Sequence, residues 1–324
     1  MKKVLVTGGS GFIGTNLVEA LLQQGYVVVN LDSGKPPKDS HLKFWKQVDI
    51  LDAAKLEAEI LKFDPEVILH LAAVADLDGK DMAHYSANVE GTQNIVDIAK
   101  KVRSLKKVLF TSSMYVCKPG FIPKNYDEYK PHTIYGESKV QGEKIVKAIK
   151  DSAYSWVIIR PSSIWGPWFK VPYLDFFNVV YQGKYFDIGN TCTKTYGFID
   201  NTVHQILKLM AADNVHGKTF YLGDDPTPIS EWANEISLEM GKGKIKKVPF
   251  FVIRLAAFAG DILTKAKIKF PITSFRLSNM MTDNVLPLKD LYAQVGKPPV
   301  SRVEGVKKTI AWLVEHKGYQ IKSK

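Results

Sequence analysis

Five apolar runs of strand length punctuate the first half of the chain: Val4-Leu5-Val6, Tyr26 to Leu31, Val67-Ile68-Leu69, Val108-Leu109-Phe110 and Trp156 to Ile159. Between them, Phe12 to Leu22, Ala53 to Phe63, Met82 to Val102 and Ile134 to Lys150 carry apolar residues at helical spacing. Runs that lack an alternating polar face are buried on both sides, so the pattern predicts a parallel sheet covered by helices on both faces. Right-handed crossovers follow from that arrangement. Phe44 to Val48 adds a short strand, while Ser33-Gly34-Lys35-Pro36-Pro37 and the stretch holding Pro119-Gly120 and Pro123 are loops by composition.

Beyond Pro161 the alternation breaks. Trp165 to Tyr185 is aromatic, interrupted by proline and poorly periodic, which suits a lid or pocket wall. Phe198-Ile199-Asp200-Asn201 leads into a helix through Met210, and Thr219 to Leu222 reads as a returning strand. Helical pieces dominate from Ser230, itself expected to N-cap a helix over Glu231 to Met240. The expected division is residues 1–165 with 191–223 as one α/β domain, and 166–190 with 224–324 as a smaller, mostly helical lobe that binds substrate.

The junction of the first strand and first helix reads Thr7-Gly8-Gly9-Ser10-Gly11-Phe12-Ile13-Gly14. A strand that turns through glycines into a helix leaves backbone N–H groups free at the positive helix end, which suits a pyrophosphate. Gly8 permits the tight turn, Gly11 lets the backbone approach phosphates, and Gly14 lets the helix pack closely. The second strand ends at Asp32, eighteen positions after Gly14. A carboxylate there accepts hydrogen bonds from both hydroxyls of an adenosine ribose and repels a 2′-phosphate, which favours NAD over NADP. The fold expected is therefore a doubly wound Rossmann sheet.

Tyr135 and Lys139 are four apart on an expected helix and share one face. A phenol with a reference pKa of about 10 is a poor base near neutrality. A neighbouring ammonium, aided by the positive charge of an oxidised nicotinamide, favours the phenolate, which can then take a proton from a substrate hydroxyl. Ser113 follows the strand ending in Thr111, where ligands bind in such sheets, and is placed to hydrogen-bond the same hydroxyl. Without these neighbours, a Tyr and Lys at this spacing are an ordinary solvated helix pair.

The chain has 324 residues, 44 Lys and Arg against 33 Asp and Glu, and a formal charge of +11. The basic residues are scattered, apart from a run at Lys242 to Lys247 and a Lys-rich C-terminus, and aromatics do not alternate with them. Such a charge attracts an anionic ligand, an acidic polymer or an anionic membrane face, but the scatter reads as a solvated surface and argues against nucleic acid. Cys117 and Cys192 are too few for a disulfide framework and lack metal-ligand spacing, so free thiols in a reducing cytoplasm are expected. Lys2 and Lys3 precede only three apolar residues, too short a core for a signal peptide. Val248 to Leu263 contains Pro249, Arg254 and Asp261, which makes it too short and too interrupted to span a bilayer, though it could touch one. No transmembrane segment is expected.

Taken together, the opening Thr7-Gly8-x-x-Gly11-x-x-Gly14, Asp32, Asp49-Ile50, His70-Leu71-Ala72-Ala73, Asn88, Thr111-Ser112-Ser113, Tyr135-x-x-x-Lys139 and Arg160-Pro161 resemble the extended short-chain dehydrogenase/reductase superfamily, in its nucleotide-sugar epimerase/dehydratase branch. A looser likeness continues through Phe198-Ile199-Asp200-Asn201, Arg276 and Gly296 to Trp312. The resemblance implies that Gly8, Gly11, Phe12, Ile13 and Gly14 surround the pyrophosphate of NAD, with Asp32 on the adenosine ribose and Asp49 and Ile50 on the adenine edge. It implies that Leu71, Ala72, Ala73, Asn88 and Thr111 belong to the dinucleotide site, that Lys139 holds the nicotinamide ribose and that Pro161 borders the nicotinamide. Ser113, Tyr135 and Lys139 would be the catalytic set. Ser113, Tyr135, Ser163 and Arg276 would meet the substrate, Arg276 through a phosphate.

The implied activity is epimerisation of a nucleotide-linked sugar through a transient 4-keto intermediate, in a homodimer paired through the helices at Met82 to Val102 and Ile134 to Lys150. A net reductase or dehydrogenase of a keto-sugar or sterol-like alcohol is the alternative, since the same triad serves both. A non-catalytic dinucleotide sensor is the third reading. Met114 and Tyr115 stand where dehydrating members of the family carry an Asp-Glu pair, which argues against a dehydratase. Cys117-Lys118 and Trp165 also depart from the family pattern and reshape the expected pocket.

Overall fold

The computed structural model describes residues 2–170, 172–189, 192–265, 277 and 281–321. These divide into two compact units, one built from Met1–Ile164, Gly197–Asp224 and Pro287–Pro299, the other from Trp165–Tyr196, Asp225–Leu286 and Val300–Lys324.

The first unit is a seven-stranded parallel sheet. Its strands are β1 (Lys3–Thr7), β2 (Val27–Asp32), β3 (Trp45–Gln47), β4 (Val67–His70), β5 (Lys107–Thr111), β6 (Ser155–Pro161) and β7 (Lys218–Leu222), in the order β7-β6-β5-β4-β1-β2-β3. The order reverses at β1, which pairs with β2 on one side and β4 on the other, so β1 and β4 end together at a switch point. Ligands bind at the carboxyl ends of strands at such a point, because the flanking connections leave in opposite directions. Helices α1 (Phe12–Gln23), α2 (Ala53–Phe63), α3 (Ser86–Ala99) and α4 (Ile134–Lys147) alternate with these strands.

The strands' continuous apolar character is explained by burial on both faces. Leu5, Leu31, Ile68, Val108 and Ile158 share one core with Leu56 and Ile60 of α2, Ile95 and Ile98 of α3 and Val146 of α4. On the other face α1 packs against α6 (Ile199–Ala211), and α9 (Lys289–Val295) packs against α6 and β7. Burying each such Leu or Ile side chain contributes roughly 1.5–3 kcal/mol. Helix α2 shows how local chemistry sets an element's bounds. The Asp52 side chain accepts from Lys55 N at 3.0 Å to start it, and Asp64, at φ 48°, ends it.

Several elements differ from the sequence pattern. The expected helix from Met82 begins as a 3-10 turn at Ala83–Tyr85, because Tyr85 is buried with its hydroxyl donating to Asp76 O at 3.0 Å, and α3 starts only at Ser86. A 3-10 helix at Asp39–Phe44 takes Phe44 out of the expected strand.

In the second unit, Trp165 to Tyr185 is not irregular throughout: it contains α5 (Tyr173–Tyr181). There Phe176 stacks on Trp232 at 4.9 Å and Phe177 meets Trp165 at 6.0 Å, so aromatic packing replaces the periodic stripe of an amphipathic helix. Ser230 is not an N-cap. Helix α7 (Ile229–Glu239) begins before it, and Ser230 is buried inside the first turn with its carbonyl accepting from Asn234 Nδ2. The unit's remaining helices are α8 (Phe250–Lys265) and α10 (Arg302–Lys317). Arg302 fastens α10 to α7 through Glu235 at 2.6 and 2.7 Å. Among the described residues no helix is long and apolar enough to cross a membrane.

Candidate active site

The turn leaving β1 is close-packed backbone. Gly8 sits at φ 74°, and a Cβ there would lie 2.5 Å from Ala72 N in the segment leaving β4. A Cβ on Gly14 would lie 2.2 Å from Gly8 O, and one on Gly9 would lie 2.4 Å from Asn30 Oδ1. Gly8 and Gly14 thus hold the positions expected for a tight turn and a tight helix entry. Gly9 is a third constrained glycine, one that the motif spacing does not single out. Gly11 N-caps α1 with no side-chain cap, and its carbonyl accepts from Thr15 N at 2.8 Å. A Cβ on Gly11 would touch only Gly8 O, at 3.2 Å, so the side of the turn away from the protein is open backbone followed by half-buried Phe12 and Ile13. Such a cradle, which side chains would fill, fits a pyrophosphate.

Asp32 ends β2 beside this turn. Its Oδ2 accepts from Ser10 N and its Oδ1 from Gly34 N, both at 2.9 Å, so the carboxylate is fixed in place. Asp49 caps the next turn by accepting from Leu51 N at 2.9 Å. Ile50 is held through its carbonyl by Asn94 Nδ2 at 2.9 Å, and through a side chain that would clash with any Cβ on Gly91. Leu71, Ala72 and Ala73 are half-buried immediately after β4, and Leu71 N donates to Thr7 O at 3.0 Å. Asn88 is buried and fully engaged. It pairs with both the N–H and C=O of Val74, at 2.8 and 2.9 Å, and donates to Ser138 Oγ at 2.9 Å, tying that segment to α4. Pro161 closes β6 and is buried, and Ser163 is half-buried just beyond it. Arg276 lies outside the described residues.

Helix α4 begins where Thr133 Oγ1 accepts from Gly136 N at 3.0 Å. A Cβ on Gly136 would lie 2.3 Å from Tyr115 O, so only glycine lets the helix reach the turn that carries Ser113. The close approach brings Ser113, Tyr135 and Lys139 into one buried cluster. The Ser113 hydroxyl hydrogen-bonds the Tyr135 phenol and draws its pKa down, while burial pushes the phenol up to about 12. Lys139 Nζ donates to Thr111 O at 3.1 Å and lies 6.0 Å from the Tyr135 ring centre. Burial brings this ammonium down to about 8, opposed by the Glu143 carboxylate.

The balance differs from the sequence expectation. With the protein's own groups alone, desolvation of the phenol outweighs any help from the ammonium, so Tyr135 is neutral near pH 7. The structure adds a second group, in which Arg160 of the Arg160-Pro161 motif meets Glu143, a residue that the motifs do not single out. Arg160 is fully buried, with Nε and Nη2 each 2.7 Å from the Glu143 carboxylate and Nη1 donating to Tyr221 Oη at 3.0 Å. Arg160 Nη2 also donates to Tyr126 O at 2.7 Å, and Tyr129 Oη donates to Glu143 at 2.9 Å. The loop between β5 and α4 is thereby pinned to β6. Glu143 lies four residues after Lys139 on the same helix, and that spacing was the available signal.

His70, at the end of β4, is buried with Nδ1 2.7 Å from Thr7 Oγ1. Burial, with the Lys139 charge adding to it, brings His70 from 6.5 down to about 3. Unfolding releases the imidazole to take up a proton, so stability is retained above its unfolded pKa and lost as pH falls from about 6.5 toward about 3. Urea unfolding at pH near 7.5 and near 5.5 should show His70→Gln losing about 1.4 kcal/mol less than the unsubstituted protein over that interval. Equal losses would show that His70 does not remain neutral.

The family model described as the NAD dependent epimerase/dehydratase family matches residues 4–223. The chain belongs to that family. Members are NAD dependent, and NAD is the cofactor of this epimerase/dehydratase-family protein. It is 26% identical over 330 residues to the N-acetyl-alpha-D-glucosaminyl-diphospho-ditrans,octacis-undecaprenol 4-epimerase of Escherichia coli O157:H7, covering 97% of this chain and 96% of that protein. It is 29% identical over 261 residues to the 3-beta-hydroxysteroid dehydrogenase of Mycolicibacterium neoaurum, covering 74% of this chain and 70% of that one. Among solved structures, UDP-glucuronic acid 4-epimerase from Bacillus cereus in complex with NAD has a TM-score of 0.73 at 22% identity, covering 98% of both chains. That likeness bears on the fold. The epimerase/dehydratase-family chain is an enzyme of the epimerase and dehydrogenase class.

Proposed function

We propose that this enzyme epimerises a sugar carried on a nucleotide diphosphate, through a transient 4-keto sugar. The observation that carries the reading is the buried cluster of Ser113, Tyr135 and Lys139 at the carboxyl ends of the strands, in the unit that also holds the glycine turn. When bound, NAD supplies the group that accepts the substrate's hydride and returns it. Ser113 holds the C4 hydroxyl, and Tyr135, as phenolate, removes its proton as the C4 hydrogen departs with its electron pair. Lys139 holds the nicotinamide ribose and keeps a positive charge near the phenol. The keto sugar turns, hydride returns to its opposite face, and Tyr135 gives the proton back, so net redox is zero.

The residues beside Ser113 support epimerisation over dehydration. Met114 is buried, and Tyr115 stacks on His132 at 5.7 Å, so neither position offers the carboxyl acid and base that loss of water needs. The undecaprenol-linked 4-epimerase, matched along nearly its whole length, supports the same reaction type. Gly8, Gly11, Phe12, Ile13, Gly14, Asp32, Asp49, Ile50, Leu71, Ala72, Ala73 and Pro161 are assigned to the dinucleotide, with Asn88 and Thr111 shaping its site through Val74 and Lys139. Ser163 and Arg276 are assigned to the substrate. Assembly as a homodimer through the outer faces of α3 and α4, in the cytoplasm, belongs to the same reading.

The test is turnover without added cofactor. Purified protein should retain NAD and convert one member of a panel of UDP-, GDP- and dTDP-sugars into its epimer, identified by proton NMR. A strict requirement for stoichiometric NAD(P)H would contradict epimerisation. The steroid dehydrogenase relative favours one second reading, net oxidation of a sterol-like alcohol. Steady growth of absorbance at 340 nm with substrate and NAD would identify it.

A further inference from the structure

Helix α8 presents an apolar stripe that no described part of the chain covers. Phe251 is 65% exposed, Leu255 65%, Phe258 64% and Ile262 54%, whereas Ala257 and Gly260 are buried. At about 100° per residue the four large side chains fall within an arc of about 60°, on the opposite side of the helix from Gly260. Val252, 41% exposed, extends the stripe's margin. Single exposed apolar residues need no explanation, but four aligned on one helix mark an interaction surface.

The charges that flank α8 along the sequence say what covers the stripe. Between positions 242 and 269 the sequence has eight basic residues, Lys242, Lys244, Lys246, Lys247, Arg254, Lys265, Lys267 and Lys269, and one acid, Asp261. Lys242, Lys244, Lys246, Lys247 and Arg254 are exposed. We propose that α8 docks this enzyme on the surface of an anionic lipid bilayer, lying in the interface with Phe251, Leu255, Phe258 and Ile262 among the acyl chains and the flanking lysines on the headgroups. At 16 residues the helix is about 24 Å long, short of the roughly 30 Å of a hydrocarbon core, so it lies on a membrane and does not cross it. A second copy of the chain is the weaker occupant. A two-fold contact would bring both basic sets together around the apolar seam, at a like-charge cost that a bilayer of anionic lipid reverses.

The test is co-sedimentation of the full chain with vesicles, read independently of catalysis. Partition onto vesicles of phosphatidylcholine with about one-third phosphatidylglycerol should be at least about tenfold stronger than onto phosphatidylcholine alone, and should weaken as salt rises. The double variant Leu255→Glu, Phe258→Glu should lose that binding while keeping its thermal unfolding midpoint, because both side chains point to solvent. A triple variant Lys244→Glu, Lys246→Glu, Lys247→Glu should keep the apolar stripe and lose the preference for anionic lipid. Failure of the unsubstituted protein to bind either vesicle would overturn the proposal. Unchanged binding by the folded double variant would also overturn it, as would a dimer in solution that the double variant converts to monomer.

Discussion

Replacing Tyr135 with Phe is expected to lower kcat by about 10²–10⁴-fold, the range that general acid–base groups contribute, with the fold intact. Phe keeps the ring that packs 5.9 Å from Tyr85 and 6.0 Å from Tyr115, so only the hydroxyl and its hydrogen bond to Ser113 are lost. Because the hydroxyl alone carries the proton in the proposed reaction, the loss should fall on kcat and spare the unfolding midpoint. Steady-state kinetics and thermal unfolding of the same preparation separate the two. A Tyr135→Phe enzyme with unchanged kcat would remove the phenol from the chemistry, whereas absence of turnover by the unsubstituted protein on every sugar of the panel would favour the reading in which the chain only senses a dinucleotide.

The largest expected effect on stability comes from the Arg160–Glu143 pair. Arg160→Met leaves a carboxylate buried against Tyr129 with no guanidinium to meet it, and breaking a buried pair on one side typically costs about 3–5 kcal/mol. That is a large share of the roughly 5–15 kcal/mol that holds a folded protein together. Arg160→Met with Glu143→Leu should recover much of the loss, since two apolar groups leave no stranded charge. Lys147 limits the recovery because it too faces this cluster, donating to Tyr129 Oη at 2.7 Å. Urea unfolding of the single and double variants checks the order. A single variant that costs less than about 1 kcal/mol would mean water reaches the carboxylate, and the pair would not be what pins the β5–α4 loop.

The sheet was legible in the sequence because a strand buried on both faces leaves an uninterrupted apolar run, and Val4-Leu5-Val6 and Val67-Ile68-Leu69 have no other simple explanation. The bounds of helix α2 follow from the sequence because its apolar stripe and Pro65 act locally. What the pattern missed depends on contacts distant in sequence. Helix α5 is aromatic throughout and shows its packing face only once Trp232 lies against Phe176 and Phe177. Ser230 looks like a cap when only its own neighbours are considered, yet it is buried one residue inside α7.

The candidate site was legible where residue type and spacing carry the chemistry, as at Gly8, Gly14, Asp32, Tyr135 and Lys139. Gly9 and Gly136 were not, because their need for a bare backbone comes from Asn30 and Tyr115 across the fold. Nor does spacing alone give the charge balance. The ammonium at position 139 was expected to favour the phenolate, but both groups are buried, and desolvation raises the phenol and lowers the amine. In the proposed reaction, full activation of Tyr135 would therefore await the positive charge that an oxidised dinucleotide brings.

The most direct measurement follows the fate of one hydrogen. A nucleotide sugar deuterated at C4, converted by the purified protein in ordinary water without added cofactor, should give an epimer that keeps its deuterium, because the hydride leaves and returns within one turnover. A product that has lost the label to solvent, or deuterium recovered in stoichiometric NADH, would contradict a hydride returned to its own substrate beside Tyr135.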